Sequence, residues 1–407
     1  MMNNGHAGSS QASVASAEDL AALRSVLQKF CAENIRPRIR ELENAEQFPR
    51  ELYKALGELG AFGCIIPEEL GGSNMGFEAL ALVSEELAYA YPPVSAAMNL
   101  QAATVPLTIK NWGRPDQVSK YVPGLINGTV LGSNAMTEPD GGTDLLGAMR
   151  TTAKRDGDAY IINGSKMWIT NANVADVVIV YCKTDTTAKH KGVSAFLVDT
   201  TTTGFEANRV KCRVLGNLMP TNSLTFTDMR VPADCILGQE GEGFKIAMNA
   251  MDFGRLVVAA RSLGLARACL DASVEYADLR EAFSEKIGSF QMIKHQIADM
   301  ATEVAAATEL VYKAARMFDQ GTAATREAAI AKYFAGEMCN RAAQATTEIF
   351  GGYAFSDELP ISIYLNYAKL WQTGEGSANL QRILIADDAL GWKPMDRHNR
   401  PSKDTGK

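Results

Sequence analysis

From Pro232 the chain runs to Pro360 without another proline, and the intervening sequence is rich in alanine, with apolar residues at three- and four-residue spacing. Proline breaks or kinks a helix because it has no N–H to donate and its ring clashes with the preceding turn. So long a proline-free run with helical periodicity predicts two or three long antiparallel helices packed as a bundle. The residues beyond it, Lys393 to Lys407, are polar and proline-interrupted and read as a loose tail.

The earlier chain has two other characters. From about Ser16 to Asn127 it reads helical: Ser16 with Asp19 forms a capping box ahead of the stripe Leu20, Leu23, Val26, Leu27 and Phe30. Further apolar stripes occupy Leu52–Leu59 and Phe77–Tyr91, separated by Pro67, Gly71–Gly72 and Pro92–Pro93. From about Thr129 to Cys235, β-branched runs appear at 160–162, 177–181, 193–198 and 224–226. Asp156-Gly157-Asp158, Asn163-Gly164 and Lys191-Gly192 divide them, at the spacing of an all-β sandwich or barrel. The expected division is a disordered leader (1–15), a helical domain (16–128), a β domain (129–238), a helical bundle (239–392) and the tail (393–407).

This order excludes several function classes. Alternating βαβ units and a GxGxxG turn are missing, which argues against a nicotinamide cofactor on a Rossmann domain. A net charge of −7 and a pI near 5.4 offer no basic stripe for a nucleic acid. No apolar run reaches the ~18 residues of a membrane span. The small, polar N-terminus resembles neither a secretory signal nor an arginine-rich transit peptide, so a cytoplasmic location is expected. The seven cysteines are scattered singly without CxxC, which suggests buried free thiols and no metal site.

Two segments carry chemistry. Ala135-Met136-Thr137-Glu138-Pro139-Asp140-Gly141-Gly142-Thr143-Asp144 reads as a strand entering a tight, hydroxyl-bearing loop. Such a loop brings backbone N–H groups against a ring or phosphate, though Gly-Gly-Thr-Asp is equally an ordinary turn. In Asn163-Gly164-Ser165-Lys166-Met167-Trp168-Ile169-Thr170-Asn171, Asn-Gly predicts a primed hairpin turn. The strand after it then carries Trp168 and Thr170 on one face. An indole beside a hydroxyl suits a flat heteroaromatic cofactor, and equally a buried core tryptophan.

Together the two segments resemble the acyl-CoA dehydrogenase family. Further matches follow in order: Pro67-Glu68-Glu69-Leu70-Gly71-Gly72; Arg280, Phe283, Ile287, Phe290 and Gln291; Phe350-Gly351-Gly352; and Glu375-Gly376-Ser377 with Gln381-Arg382. The collinear set covers about Asp19 to Leu390. It implies an α+β fold in three domains: an N-terminal helical domain, a middle β-barrel or sandwich, and a C-terminal four-helix bundle. It implies FAD as cofactor and an acyl-CoA as substrate. It further implies an electron-transfer flavoprotein as electron acceptor and a homotetramer built as a dimer of dimers.

By the same resemblance, Met136, Thr137, Gly142 and Thr143 line the FAD. Trp168, Ile169 and Thr170 cover its ring, Thr170 donating towards N5. Arg280, Phe283, Gln291, Glu348, Gly351 and Gly352 are expected to reach the cofactor of a neighbouring subunit, and Ser377 and Asn379 complete the cofactor set. Thr143, Met251, Asp252, Gly254, Arg255, Gly374 and Gly376 are implied for the acyl-CoA, with Asp252 and Arg255 at its CoA end. An alternative for Arg255 is a simple ion pair.

Glu375 occupies the position of the family's usual base. Some members carry the base at the position of Gly254, where glycine has no side chain to serve. Flavin monooxygenases of this fold lack such a glutamate and an oxidase relative uses aspartate, so α,β-dehydrogenation is favoured over these. A carrier-protein-bound acyl group remains the alternative to CoA, and a catalytically silent homologue would have lost the glutamate. Four departures bear on specificity. Gly374 stands for a usual tyrosine and Gly254 for a larger residue, which suggests room for a short branched or cyclic acyl group. Glu348 and Ser284 replace a glutamine and a glycine on the adenosine side. Ser95 stands where glutaryl-CoA dehydrogenases carry a carboxylate-binding arginine, which argues against a terminal carboxylate on the substrate.

Overall fold

The computed structural model describes residues 15–45, 47–212 and 215–392. Apart from Ala15, the expected leader and tail lie outside these residues. The helical first third contains α1 (Ala17–Asn34), α2 (Ile39–Asn44), α3 (Arg50–Glu58), α4 (Phe77–Ala90), α5 (Pro92–Ala96), α6 (Val105–Trp112) and α7 (Pro115–Ile126). The capping box is formed: Asp19 N donates to Ser16 Oγ at 3.1 Å and Ser16 N to Asp19 Oδ2 at 2.9 Å. A π-helical turn, Leu100–Thr104, leads into α6, and Val105 N donates to Leu100 O beside Pro106, which has no N–H to offer.

The middle of the chain is a single eight-stranded mixed sheet. Its strands are β1 (Gly132–Ala135), followed by the short α8 (Leu145–Ala148), then β2 (Thr152–Asp156), β3 (Ala159–Thr170), β4 (Val177–Lys183), β5 (Val193–Asp199), β6 (Phe205–Arg209), β7 (Thr221–Pro232) and β8 (Ile236–Leu237). The order is β6-β7-β3-β2-β4-β5-β8, with β1 parallel to β4. The apolar run of β4 is buried on both faces. Val178, Val180 and Cys182 join Tyr160, Phe196 and Phe226 inside the curl of the sheet, while Val177, Ile179 and Tyr181 pack against the helices. This is why β4 lacks the apolar–polar alternation of a half-exposed strand.

Asn163-Gly164 makes no hairpin turn. Both residues lie inside β3, at a bulge between Ile162/Met229 and Gly164/Phe226. Asn163 holds it by accepting from Asp228 N at 2.8 Å and donating to Asp228 Oδ1 at 3.1 Å. The turn before β3 is instead Asp156–Asp158, with Gly157 at φ 64°.

The proline-free stretch forms α9 (Gly243–Leu279), the hairpin β9 (Glu281–Ala282) with β10 (Glu285–Lys286), α10 (Gln291–Asp319) and α11 (Thr325–Phe350), followed by α12 (Ile361–Thr373) and α13 (Ala378–Ala389). α11 packs against α9, α10, α12 and α13, and α9 also lies along α4. The α4/α9 contact depends on Gly264, where an added Cβ would sit 2.0 Å from Glu85 O. Next to it, Arg267 pairs with Glu85 and Glu86, Arg24 of α1 reaches Glu86, and Tyr312 of α10 donates to Glu85 Oε2 at 2.6 Å. One buried ionic knot therefore ties four helices. All seven cysteines are free, but Cys212 and Cys235 are only partly buried, contrary to the expectation of wholly buried thiols. Among the described residues no helix is long and apolar enough to cross a membrane.

Because the α4 backbone leaves no space for a methyl group, Gly264→Ala forces two core helices apart. Its expected cost is about 1–3 kcal/mol, read as a lowered melting temperature; an unchanged melt would show that the helices separate freely.

Candidate active site

A cavity of about 850 Å³ opens where the sheet, α9 and the α12–α13 loop meet. It gathers most of the residues singled out from the sequence: Met136, Thr137, Gly142, Thr143, Trp168, Ile169 and Thr170 from the sheet side, Met251, Asp252 and Arg255 from α9, and Gly374, Glu375, Gly376 and Ser377 from the loop.

On the sheet side, strand geometry presents the indole. β3 has a second bulge, in which Lys166 pairs with Leu224 and Ile169 with Asn222, so one residue is extra. Trp168 falls in it at φ 63°, a left-handed conformation costly for a bulky side chain. The alternation expected to place Trp168 and Thr170 on one face is thus interrupted. Trp168 is turned out of the ladder and is 56% exposed, while Ile169 is buried. The facing loop is pinned from below. Lys166, wholly buried, donates to Glu138 Oε1 at 2.8 Å and to Met136 O at 3.3 Å. Glu138 also accepts from the backbone N–H groups of Arg150 and Thr151. Burial pushes the Glu138 carboxyl up, but the Lys166 ammonium and these hydrogen bonds outweigh it and hold the group below its ordinary value. Met167 N donates to Thr137 O at 2.9 Å, closing loop onto strand.

On the helix side, Glu375 stands in the loop between α12 and α13 at φ 54°, a second non-glycine residue in the left-handed region. Asn99 Nδ2 donates to Glu375 Oε1 at 3.2 Å. A Cβ on Gly254 would lie 3.0 Å from Glu375 Oε2, so the glycine leaves the space its carboxylate occupies. A Cβ on Gly374 would meet only Leu370 O, at 3.4 Å. Ser377 caps α13 by accepting from Leu380 N at 3.3 Å. Asp252 accepts from Arg255 Nη1 at 2.6 Å and from Thr325 Oγ1 at 2.8 Å.

Two further buried cations stand here. Lys332 of α11 donates to Gly376 O at 2.6 Å and Gln372 O at 3.1 Å. Burial pulls its ammonium down from 10.5 to about 8, against the attraction of Glu375. Arg261 of α9 lines the cavity and donates to Ala96 O at 2.8 Å. Burial lowers its guanidinium to about 10, again against the attraction of Glu375.

The remaining expected residues lie apart. Arg280, Gly351 and Gly352 line a second pocket of about 590 Å³ with Tyr276, Phe350 and Tyr353. Phe283 and Ser284, at φ 54° and 65°, turn the β9–β10 hairpin, so Ser284 adopts the conformation its usual glycine would take. Phe283 is 92% exposed at the hairpin tip. Gln291 opens α10 on the surface, and Glu348 accepts from Gln296 at 2.6 Å. Asn379 is exposed and bonded to Arg382 at 2.8 Å, outside the cavity.

The sequence reading gave no role to Asn99, Lys166, Arg261 or Lys332. The available signal was charge out of place. Arg261 interrupts Leu256-Val257-Val258-Ala259-Ala260, and Lys332 sits in an alanine-rich helical run.

Comparison with known proteins gives a consistent result. Residues 17–129, 133–229 and 241–390 match the N-terminal, middle and C-terminal domain models of acyl-CoA dehydrogenase. The chain is 37% identical to a glutaryl-CoA dehydrogenase of Desulfococcus multivorans, over 93% of this chain and 98% of that one. It is 35% identical to a mitochondrial isovaleryl-CoA dehydrogenase of Pongo abelii, over 90% and 88%. A solved glutaryl-CoA dehydrogenase in complex with glutaryl-CoA superimposes with a TM-score of 0.91 at 37% identity, covering 95% of this chain and 98% of that one.

Two outcomes are expected from the buried cations. Lys166→Met leaves Glu138 without its ammonium and frees the Met136–Gly142 loop, so FAD affinity should fall about tenfold or more; fluorimetric titration of the apoprotein measures it. Between pH about 8 and 10.5 the folded protein binds fewer protons at Lys332 than the unfolded chain does, so that group makes stability rise with pH across the window. Denaturation at several pH values should show this slope in wild type and not in Lys332→Met.

Proposed function

The chain belongs to the acyl-CoA dehydrogenase family, an FAD-dependent oxidoreductase acting on an acyl-CoA, and we propose that it desaturates a short, branched or cyclic acyl group with Glu375 as the base. The observation that carries this is the Glu375 carboxylate, aimed into the cavity over Gly254 and oriented by Asn99.

The cavity suits the cofactor on its own features. It offers an exposed indole, the hydroxyl-bearing residues Thr137 and Thr170, and open space above Gly142. Three residues of its wall, Thr104, Asn134 and Thr221, also keep an enclosed side-chain oxygen without a hydrogen-bond partner. Met136, Thr137, Gly142, Thr143, Trp168, Ile169 and Thr170 would hold the flavin, which when bound supplies the acceptor for the hydride leaving the β carbon.

The protein's own groups do the rest. Asn99 holds one carboxylate oxygen of Glu375 and leaves the other free to take the α proton. The Glu375 N–H makes no backbone hydrogen bond among the described residues and would donate to the thioester oxygen as charge grows on it. Met251 and the Asp252–Arg255 pair line the route to the CoA end. Room beside the α carbon comes from Gly374, since the space over Gly254 is taken by the base itself. Arg280, Gly351, Gly352 and the exposed Phe283 form a separate surface, which fits the reading that they complete the cofactor site of a second copy in a homotetramer. The expected electron acceptor is an electron-transfer flavoprotein.

Anaerobic addition of acyl-CoAs to the holoenzyme should bleach the flavin band. In Glu375→Gln the rate is expected to fall by about 10²–10⁴ with FAD still bound. Equal bleaching in wild type and variant would remove Glu375 from the role, and preference for straight-chain butyryl- or octanoyl-CoA would sink the branched or cyclic assignment.

A further inference from the structure

Removing an α proton and a β hydride does not require a guanidinium in the acyl pocket, yet Arg261 is there. It lies seven residues after Gly254 on α9, about 10 Å further along the axis at 1.5 Å per residue, and on the same face. Long helical side chains lean towards the helix N-terminus, so its own length carries the charge back towards Glu375. The residue is 4% exposed and still lines the cavity.

Its contacts leave it incompletely satisfied. Nη1 donates to Ala96 O at 2.8 Å, the guanidinium carbon lies 5.1 Å from the Trp371 ring centre, and Nε has no partner. Arg255 is paired with Asp252, but Arg261 has no ion-pair partner within 4.0 Å among the described residues. The carboxylate acting on it is that of Glu375, which also acts on Lys332. Glu337 also acts on Lys332, whereas Glu375 is the one carboxylate acting on Arg261, and Glu375 is committed to proton abstraction. A buried charge without a partner is costly, so the inner end of the pocket is short of one anion.

We propose that Arg261 anchors a carboxylate at the far end of the acyl group, making the substrate the CoA thioester of a short dicarboxylic acid with space for a branch at the α carbon. The inference rests on the dehydrogenase reading above and names its substrate class. Ser95, whose identity argued against a terminal carboxylate, is buried with its hydroxyl on Pro92 O at 2.9 Å and does not line the cavity. The cation comes from α9 instead, held by the neighbouring Ala96 carbonyl. Because Glu375 acts electrostatically on the guanidinium, the carbon chain between base and guanidinium is short. The anchored carboxylate takes no part in bond making: the α and β C–H bonds break, the C=C bond forms, and no C–C bond is cut.

The test compares carboxylated thioesters with uncharged isosteres in the FAD-loaded protein under anaerobic conditions. Glutaryl-CoA is set against 5-methylhexanoyl-CoA, and 2-methylsuccinyl-CoA against 2,4-dimethylpentanoyl-CoA. Wild type should favour at least one carboxylated member about tenfold or more in kcat/KM, chiefly through KM. In Arg261→Met that ratio should collapse, and Arg261→Lys should keep part of it, with flavin content and melting temperature reporting on folding. Wild-type preference for the uncharged isosteres overturns the inference and leaves the dehydrogenase standing, as does a ratio that survives in Arg261→Met. Bleaching by neither class overturns both. The wild-type panel decides the matter even if the variants do not fold.

Discussion

The contact of Glu375 with Gly254 governs the architecture around it. Glu375, the proposed base, reaches the cavity from a loop, across a helix that offers no side chain at the crossing. The missing methyl of Gly254 is the space the carboxylate needs. The 37-residue helix α9 is therefore more than a bundle member. Its N-terminal half meets the sheet-side core through Ile246, Ala247 and Val257. Its middle sets Gly254 against the Glu375 carboxylate and presents Arg261 to the cavity, and Gly264 admits α4 at van der Waals limits. Displacement of this helix would move the Asp252–Arg255 pair and the buried guanidinium together and change the space left for the Glu375 carboxylate.

The opposite wall is built by irregularity. A regular β3 would have buried or exposed Trp168 according to its parity. The bulge between Lys166 and Ile169 frees it from that choice, and Lys166, just before the bulge, anchors the loop that faces it. Buried ion pairs contribute little net stability compared with apolar residues of similar volume. What Lys166–Glu138 does is fix geometry: it fastens Met136, Arg150 and Thr151 to one strand, so both lips of the cavity are referenced to the same backbone.

Much of this was legible beforehand, for physical reasons. Proline and glycine punctuation, together with a change of period from three or four to two, gives the order of helices, sheet and helices. The motifs around Met136, Trp168 and Glu375 do converge on one cavity. The Asn163-Gly164 reading failed because the same dipeptide that closes a hairpin also suits a bulge. The choice is made by what lies across the strand, here Asp228 and the Thr151 backbone. Arg261 and Lys332 went unremarked because a charged residue in a helix is normally solvated; only packing reveals that α9 and α11 bury these faces. The separation of Arg280 and Gly351 from the main cavity could not be read from a linear pattern either.

Arg261 and Lys332 also bear on how the protein balances stability against function. Burial opposes both charges, lowering one to about 10 and the other to about 8, yet near neutral pH both remain cationic. Glu375 acts on both charges and Glu337 on Lys332 as well, and buried charges of this kind contribute little net stability compared with apolar residues of similar volume. The two cations are not equivalent. Lys332 is satisfied by the carbonyls of Gln372 and Gly376 and so holds the loop that carries Glu375. Arg261 has only one carbonyl and an aromatic face, its Nε is enclosed without a partner, and the residue lines the pocket wall. Structural need therefore accounts for Lys332, whereas no protein carboxylate pairs with Arg261, and the proposed substrate carboxylate is what would.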